Sequence, residues 1–153
     1  MDQIVKPILV FQNENWIVVD KAPLVLTTPA RLASDPRPCL GRILEQYLSR
    51  QIYPVHRLDF EVSGLVLFAL TTQAHRLANG WFEFSQVEKT YLARTRPGDE
   101  KPEDWVEWRS KMLRGKKRSY HSPQGKDCVT RARVVKHDSQ RWLWELQPKT
   151  GRP

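Results

Sequence analysis

The sequence predicts an α+β or mixed α/β protein, and three observations carry that expectation. Short apolar runs of strand length recur along the chain, two stretches repeat apolar residues at helical spacing, and breaker-rich segments separate them. At 153 residues the chain is long enough to bury a core without help from disulfides or a metal. No internal repeat, low-complexity segment or domain boundary is visible, so residues 1–153 are expected to form a single domain.

Taken in order, Ile8-Leu9-Val10-Phe11 and Trp16-Ile17-Val18-Val19 read as two strands, with polar Gln12-Asn13-Glu14-Asn15 as the turn between them. A Pro-rich loop with Ser and Asp follows over 29–38. From Leu40 the apolar positions Leu40, Ile43, Leu44, Tyr47 and Leu48 mark one face of a helix. Gly64-Leu65-Val66-Leu67-Phe68-Ala69-Leu70 is a continuous apolar run, the pattern of a strand buried on both faces. Ala74, Leu77, Ala78, Trp81 and Phe82 return to helical spacing, with Thr72 as the expected N-cap. Alternation over 87–94 suggests a strand, 97–104 a charged loop, and 128–136 and 141–147 two strands joined at His137-Asp138-Ser139-Gln140. Trp142 and Trp144 share a strand face and Trp81 joins its helix's apolar face, so these tryptophans are expected in packing.

Composition excludes several classes. Hydrophobic residues make up 40% of the chain, an ordinary globular value, and no apolar run is long enough to span a bilayer. The start lacks the charged head and apolar stretch of a secretion signal, so a cytoplasmic protein is expected. Cys39 and Cys128 are far apart, with no second cysteine or histidine at ligand spacing. Two reduced thiols and no metal site are therefore expected. The formal net charge is +8, and it is concentrated: ten cations and one acid, Asp127, lie between Arg109 and Lys136. Such a cluster attracts polyanions and favours nucleic acid over a merely solvated face.

The stretch that carries chemistry is His56-Arg57-Leu58-Asp59-Phe60-Glu61-Val62-Ser63-Gly64, set just before the apolar run. A polar loop feeding a rigid strand is a good mount for a reactive group. Asp59 has His56 and Arg57 as near neighbours, and positive charge nearby favours the ionised form that a nucleophile needs. On the residues alone, Asp59 reads more readily as a turn or capping aspartate with Arg57 as its surface partner.

His56-Arg57-Leu58-Asp59, with Ser63 and Gly64, resembles the H-R-L-D-x-x-T-S-G signature of RluA-type RNA pseudouridine synthases; Val62 stands where that family usually has threonine. Asn15 to Lys21 resembles the family's opening strand, with Lys21-Ala22-Pro23-Leu24 in place of Lys-Pro-x-Gly. Lys89-Thr90-Tyr91-Leu92-Ala93 resembles its K-x-Y-x-A motif, and Leu146 to Arg152 the start of its final motif. The resemblance implies an α+β pseudouridine synthase fold: a mixed, largely antiparallel sheet flanked by helices, with the C-terminal part missing. No N-terminal S4-like RNA-binding domain fits before Ile8, which tilts the expected substrate toward tRNA or a small rRNA element.

The implied reaction is an isomerisation of uridine in RNA, needing no cofactor and no metal. Asp59 would be the essential acid, attacking the sugar, stabilising charge at C1′ or taking a proton. Arg57 would help displace the target base, Tyr91 would pack against the flipped uracil, and His56 would shape the loop. Arg114, Lys116, Lys117 and Arg118 would track the RNA backbone, with Gly115 allowing close approach and Tyr120 and His121 able to stack on bases. RNA is the one partner implied; no membrane and no protein partner is. The final motif normally continues to an arginine that pairs with the aspartate, and the chain stops before it at Gly151-Arg152-Pro153. The expectation is therefore that these 153 residues bind RNA but isomerise it poorly or not at all. The alternative function is a non-catalytic RNA-binding remnant of the same fold. A nuclease is disfavoured by scattered acids, and a kinase by the lack of a glycine-rich loop.

Overall fold

The computed structural model describes residues 6–116 and 118–150, which form two compact units that divide between Phe84 and Ser85. In the first unit, β1 (Ile8–Gln12) and β2 (Trp16–Lys21) form the expected hairpin. Then follow α1 (Leu40–Leu48), the short β3 (Tyr53–Pro54), β4 (Gly64–Ala69) and α2 (Thr72–Glu83). The sheet order is β1-β2-β4-β3, with every neighbouring pair antiparallel.

Strand alternation builds the core of this unit. Ile17 lies opposite Phe68 and Val19 opposite Val66, and all four are fully buried. Against that face α1 sets Leu40, Gly41 and Leu44, whereas α2 packs on the other side of the sheet, where Trp81 lies 5.0 Å from Trp16 and His75 5.6 Å from Tyr53 between ring centres. The same alternation carries one residue further and turns Lys21 inward, opposite Gly64, which has no side chain to occupy the space.

Three local expectations need correction here. The α2 N-cap is Thr71, not Thr72: its hydroxyl accepts the Ala74 N–H at 3.1 Å. β4 is not buried on both faces along its whole length, since Leu65 is exposed near its start while Ala69, on the same side, is buried. Leu77 and Tyr47 also face solvent rather than the core.

The second unit is a five-stranded antiparallel sheet in the order β5-β9-β8-β6-β7. Its strands are β5 (Tyr91–Thr95), β6 (Val106–Arg114), β7 (Ser119–His121), β8 (Lys126–His137) and β9 (Trp142–Pro148). The strand expected over 87–94 begins only at Tyr91. β6 and β7 had no counterpart in the sequence reading, because charged residues mask their alternation. The hairpin at His137–Gln140 is present, with the Asp138 carboxylate accepting the N–H groups of Gln140 and Arg141, each at 2.7 Å.

Pairing sorts this sheet into two faces. Val106, Ala132 and Leu146 align across three strands, and Val134 lies opposite Trp144. With Trp142 they form the apolar face, where the Trp144 indole N–H donates to the Thr95 hydroxyl at 3.0 Å. The opposite face carries Arg109, Lys111, Arg131 and Arg133, interleaved with Glu107, Asp127 and Glu145.

Every strand ladder among the described residues is antiparallel; the parallel component is one isolated bridge, Leu26 to Cys39. The α+β class holds. No helix among the described residues is long and apolar enough to cross a membrane. Cys39 and Cys128 are both free thiols.

Candidate active site

The motif residues divide by side. Arg57 and Asp59 are exposed, while Leu58 between them is buried in the core of the first unit. Asp59 opens a turn in which its carbonyl accepts the Val62 N–H at 3.1 Å, so the backbone reverses just after it. Gly64 ends the loop at φ 127°, a conformation that side-chain-bearing residues rarely adopt, and starts β4.

Both neighbours of Asp59 are tied to the segment between β2 and α1. The Leu58 N–H donates to the Thr27 hydroxyl at 3.1 Å, and that hydroxyl donates to the Leu58 carbonyl at 2.9 Å. On the other side, the Phe60 carbonyl accepts from the Leu24 N–H at 2.8 Å and from the Lys21 ammonium at 3.4 Å. Lys21 also donates to the carbonyls of Val25 at 2.7 Å and Ala22 at 3.1 Å. Its side chain is fully buried, and burial pushes its pKa below the ordinary lysine value against the pull of the Asp59 and Glu61 carboxylates. Above the loop, the Arg37 guanidinium lies 5.0 Å from the centre of the Phe60 ring and pairs with Asp35 at 2.7 Å.

This arrangement corrects the expected electrostatics. No ion pair joins Arg57 to Asp59 among the described residues. His56 points its Nε2 at the Leu67 N–H, 3.0 Å away, and stacks its ring on Phe82 at 5.1 Å. The positive charge behind Asp59 is instead Lys21, which the sequence reading placed only in a motif. Its burial was legible in the alternation Ile17, Val19, Lys21. Thr27 was missed because nothing in the sequence joins residues 27 and 58.

Among the described residues the Asp59 carboxylate accepts no hydrogen bond from the protein, so its lone pairs remain open to an outside group. No group of three His, Cys, Asp or Glu residues able to hold a metal occurs among the described residues.

Tyr91 lies in the second unit, where it opens β5 opposite Leu146, half-buried on the apolar face. Arg114, Lys116 and Arg118 are exposed together at the tip of the β6–β7 hairpin; Lys117 lies outside the described residues. The close approach at Gly115 is internal. Its N–H donates to the Arg118 carbonyl at 3.1 Å, and a Cβ there would stand 2.7 Å from that oxygen. Tyr120, at the base of the tip, is half-exposed. The rest of the basic stretch is partly neutralised: Arg109 pairs with Glu107 and Arg133 with Glu145, while Lys111 sits in register with Asp127. Arg131 and Arg133 both stack on the Trp105 ring, at 4.8 and 4.7 Å from its centre. Gly151 and Arg152, which resemble the start of a final motif, lie outside the described residues.

The sequence profile of the RNA pseudouridylate synthase family matches residues 15–153. The dual-specificity RNA pseudouridine synthase RluA of Vibrio vulnificus is 26% identical over 151 residues, covering 94% of this chain and 60% of that relative. The tRNA pseudouridine synthase C of Pasteurella multocida is 33% identical over 85 residues, 56% of this chain and 35% of its own. The solved structure of human RNA pseudouridylate synthase domain containing 1 superposes with a TM-score of 0.79 at 22% identity, over 99% of this chain and 63% of that one. The chain thus spans about 60% of the length of the relatives it matches most fully. With its profile match running across both units, the chain belongs to the RNA pseudouridylate synthase family, of the RluA type.

Proposed function

We propose that this chain carries the catalytic carboxylate of an RNA pseudouridine synthase, Asp59, acting on uridine in tRNA or rRNA. The observation that carries the reading is the state of that side chain. It stands exposed with its oxygens unspent, on a backbone whose two neighbours are anchored. A turn or capping aspartate spends its carboxylate on nearby N–H groups, as Asp138 does. Family membership and the names of the relatives support the reaction class and the RNA substrate.

In the reaction the bond from ribose C1′ to uracil N1 breaks and a bond from C1′ to C5 replaces it. C5 loses its hydrogen as a proton and N1 gains one, so the product is an isomer. Asp59 serves at C1′ or as the proton acceptor. Arg57, exposed two residues away, takes the place of the extruded base, and Tyr91 supplies a ring for it to pack on. His56 fixes the loop against β4. Arg114, Lys116, Lys117 and Arg118 hold backbone phosphates. The chemistry calls for no cofactor or metal, and on this reading the protein works in the cytoplasm. The two units belong to one catalytic domain, a view supported by a profile match that crosses Phe84 and Ser85 without a break.

The test is hydrogen release from RNA tritiated at uracil C5. Tritium release to water by the wild-type chain overturns the expectation of little or no turnover, and Asp59→Asn is then expected to lose at least ~1000-fold in rate while RNA affinity stays within about threefold. RNA binding with no release from the wild type would leave the binding remnant as the better description.

A further inference from the structure

The geometry points to Thr27 as the positioning residue for Asp59. This inference rests on the reading of Asp59 as the catalytic carboxylate. Thr27 is 2% exposed, and its hydroxyl serves Leu58 twice, accepting its N–H at 3.1 Å and donating to its carbonyl at 2.9 Å. A single side chain thereby satisfies both backbone polar groups of the residue that precedes Asp59, and it fixes the orientation of both peptide planes there.

Thr27 is itself held on the other side by α1. Its carbonyl accepts the Gly41 N–H at 3.1 Å, the Leu26 carbonyl accepts the Leu40 N–H at 2.8 Å, and the Leu26 N–H donates to Pro38 at 2.8 Å. Gly41 permits this approach, since a Cβ there would come within 3.3 Å of the Thr27 oxygen. The first turn of α1, the Leu26–Thr27 segment and Leu58 thus form one hydrogen-bonded series that ends beside the reactive carboxylate. The carboxylate has no protein hydrogen bond of its own among the described residues, so its position is set through the backbone. Small displacements of a reacting group cost large factors in rate while leaving remote binding contacts in place.

Two variants of the full chain test this. Thr27→Val keeps the shape and removes the hydroxyl; Thr27→Ser keeps the hydroxyl. In Thr27→Val the Leu58 amide is expected to exchange with solvent deuterium about tenfold faster or more, with the β4 amides of Val66 and Phe68 unchanged. Its kcat is expected to fall about 10- to 100-fold with KM within threefold, and Thr27→Ser is expected to stay within about threefold of wild type in both readouts. A wild-type exchange rate at Leu58 in Thr27→Val overturns the proposal. Equal acceleration at Val66 and Phe68 does the same, because it marks a purely structural role, as does a Thr27→Ser variant that fails like the valine. Failure of the catalytic reading is a different result: no tritium release from the wild type, with the exchange comparison still deciding whether Thr27 fixes the loop.

Discussion

The Leu24 N–H donates to the Phe60 carbonyl at 2.8 Å, and Leu24 makes this bond from a left-handed backbone at φ 61°. The conformation costs a side-chain-bearing residue roughly 1–2 kcal/mol, and glycine avoids that cost. Leu24 is 59% exposed and returns little burial in exchange. It also stands where the resembling motif, Lys-Pro-x-Gly, has its glycine. Leu24→Gly should therefore stabilise the chain, by up to about 1 kcal/mol once the extra chain entropy of glycine is subtracted. Urea unfolding checks this; a lower midpoint would mean that the leucine side chain contributes packing that its exposure does not reveal.

Lys21 holds the same carbonyl from below. Lys21→Met keeps the stem and removes the ammonium, leaving the carbonyls of Val25 and Ala22 without this donor and that of Phe60 with Leu24 alone. Ala22 is exposed and Val25 half-buried, so water can reach both carbonyls, and the expected loss is about 1–2 kcal/mol. An unchanged unfolding midpoint would show that the ammonium offsets no more than its own desolvation.

His56 separates scaffold from chemistry. Its Nε2 accepts the Leu67 N–H, so His56→Gln, which can offer an acceptor, is expected to keep turnover within about tenfold of wild type. His56→Ala is expected to lose about 1–2 kcal/mol of stability as the Leu67 N–H and the Phe82 ring each lose a partner. If the glutamine variant folds normally yet loses a thousandfold in rate, histidine is acting as an acid or base after all.

The strands that are short unbroken apolar runs, β1, β2 and β4, and β9 with its alternating tryptophans were legible and stand where the sequence pattern put them. β6 was not, because Glu107, Arg109 and Lys111 read as a charge run, although each is the solvent-facing member of an alternating strand. The loop bearing Asp59 was legible as a motif, but its supports were not. Thr27 and Leu58 are 31 residues apart, and their pairing follows from how α1 returns the chain to β2, a tertiary fact with no local signature. Lys21 fell between the two cases. Its inward position follows from strand period, yet a lysine at the end of a strand is normally assigned to solvent.

Asp35 offers a pH probe of the loop that covers Phe60. The Arg37 side chain, and then its backbone N–H, lower the carboxyl to about 2. The folded value lies below the unfolded one of about 3.9, so the stabilising contribution is full above that range and fades as pH falls toward about 2. A carboxyl NMR titration should give a midpoint near 2, and Asp35→Asn should remove that part of the acid sensitivity. A midpoint at the ordinary aspartate value would mean that Arg37 is not held over Phe60 in solution.

Ion pairing on the second unit predicts which cations RNA feels. Arg109 and Arg133 already have carboxylate partners, so replacing either with alanine also frees Glu107 or Glu145 and alters the sheet face itself. Arg114, Lys116 and Arg118 have no such partners among the described residues and share one hairpin tip. Each cation that neutralises a phosphate of single-stranded RNA contributes about 0.7 to the slope of log affinity against log salt. The double variant Arg114→Ala/Arg118→Ala should thus lower the slope by about 1.4, whereas Arg133→Ala should change it by less than about 0.3. Fluorescence anisotropy of one labelled RNA over a salt series distinguishes the two. Equal losses at both places would mean that RNA runs along the charged sheet face, with the Glu145 pairing broken on binding, rather than over the hairpin tip.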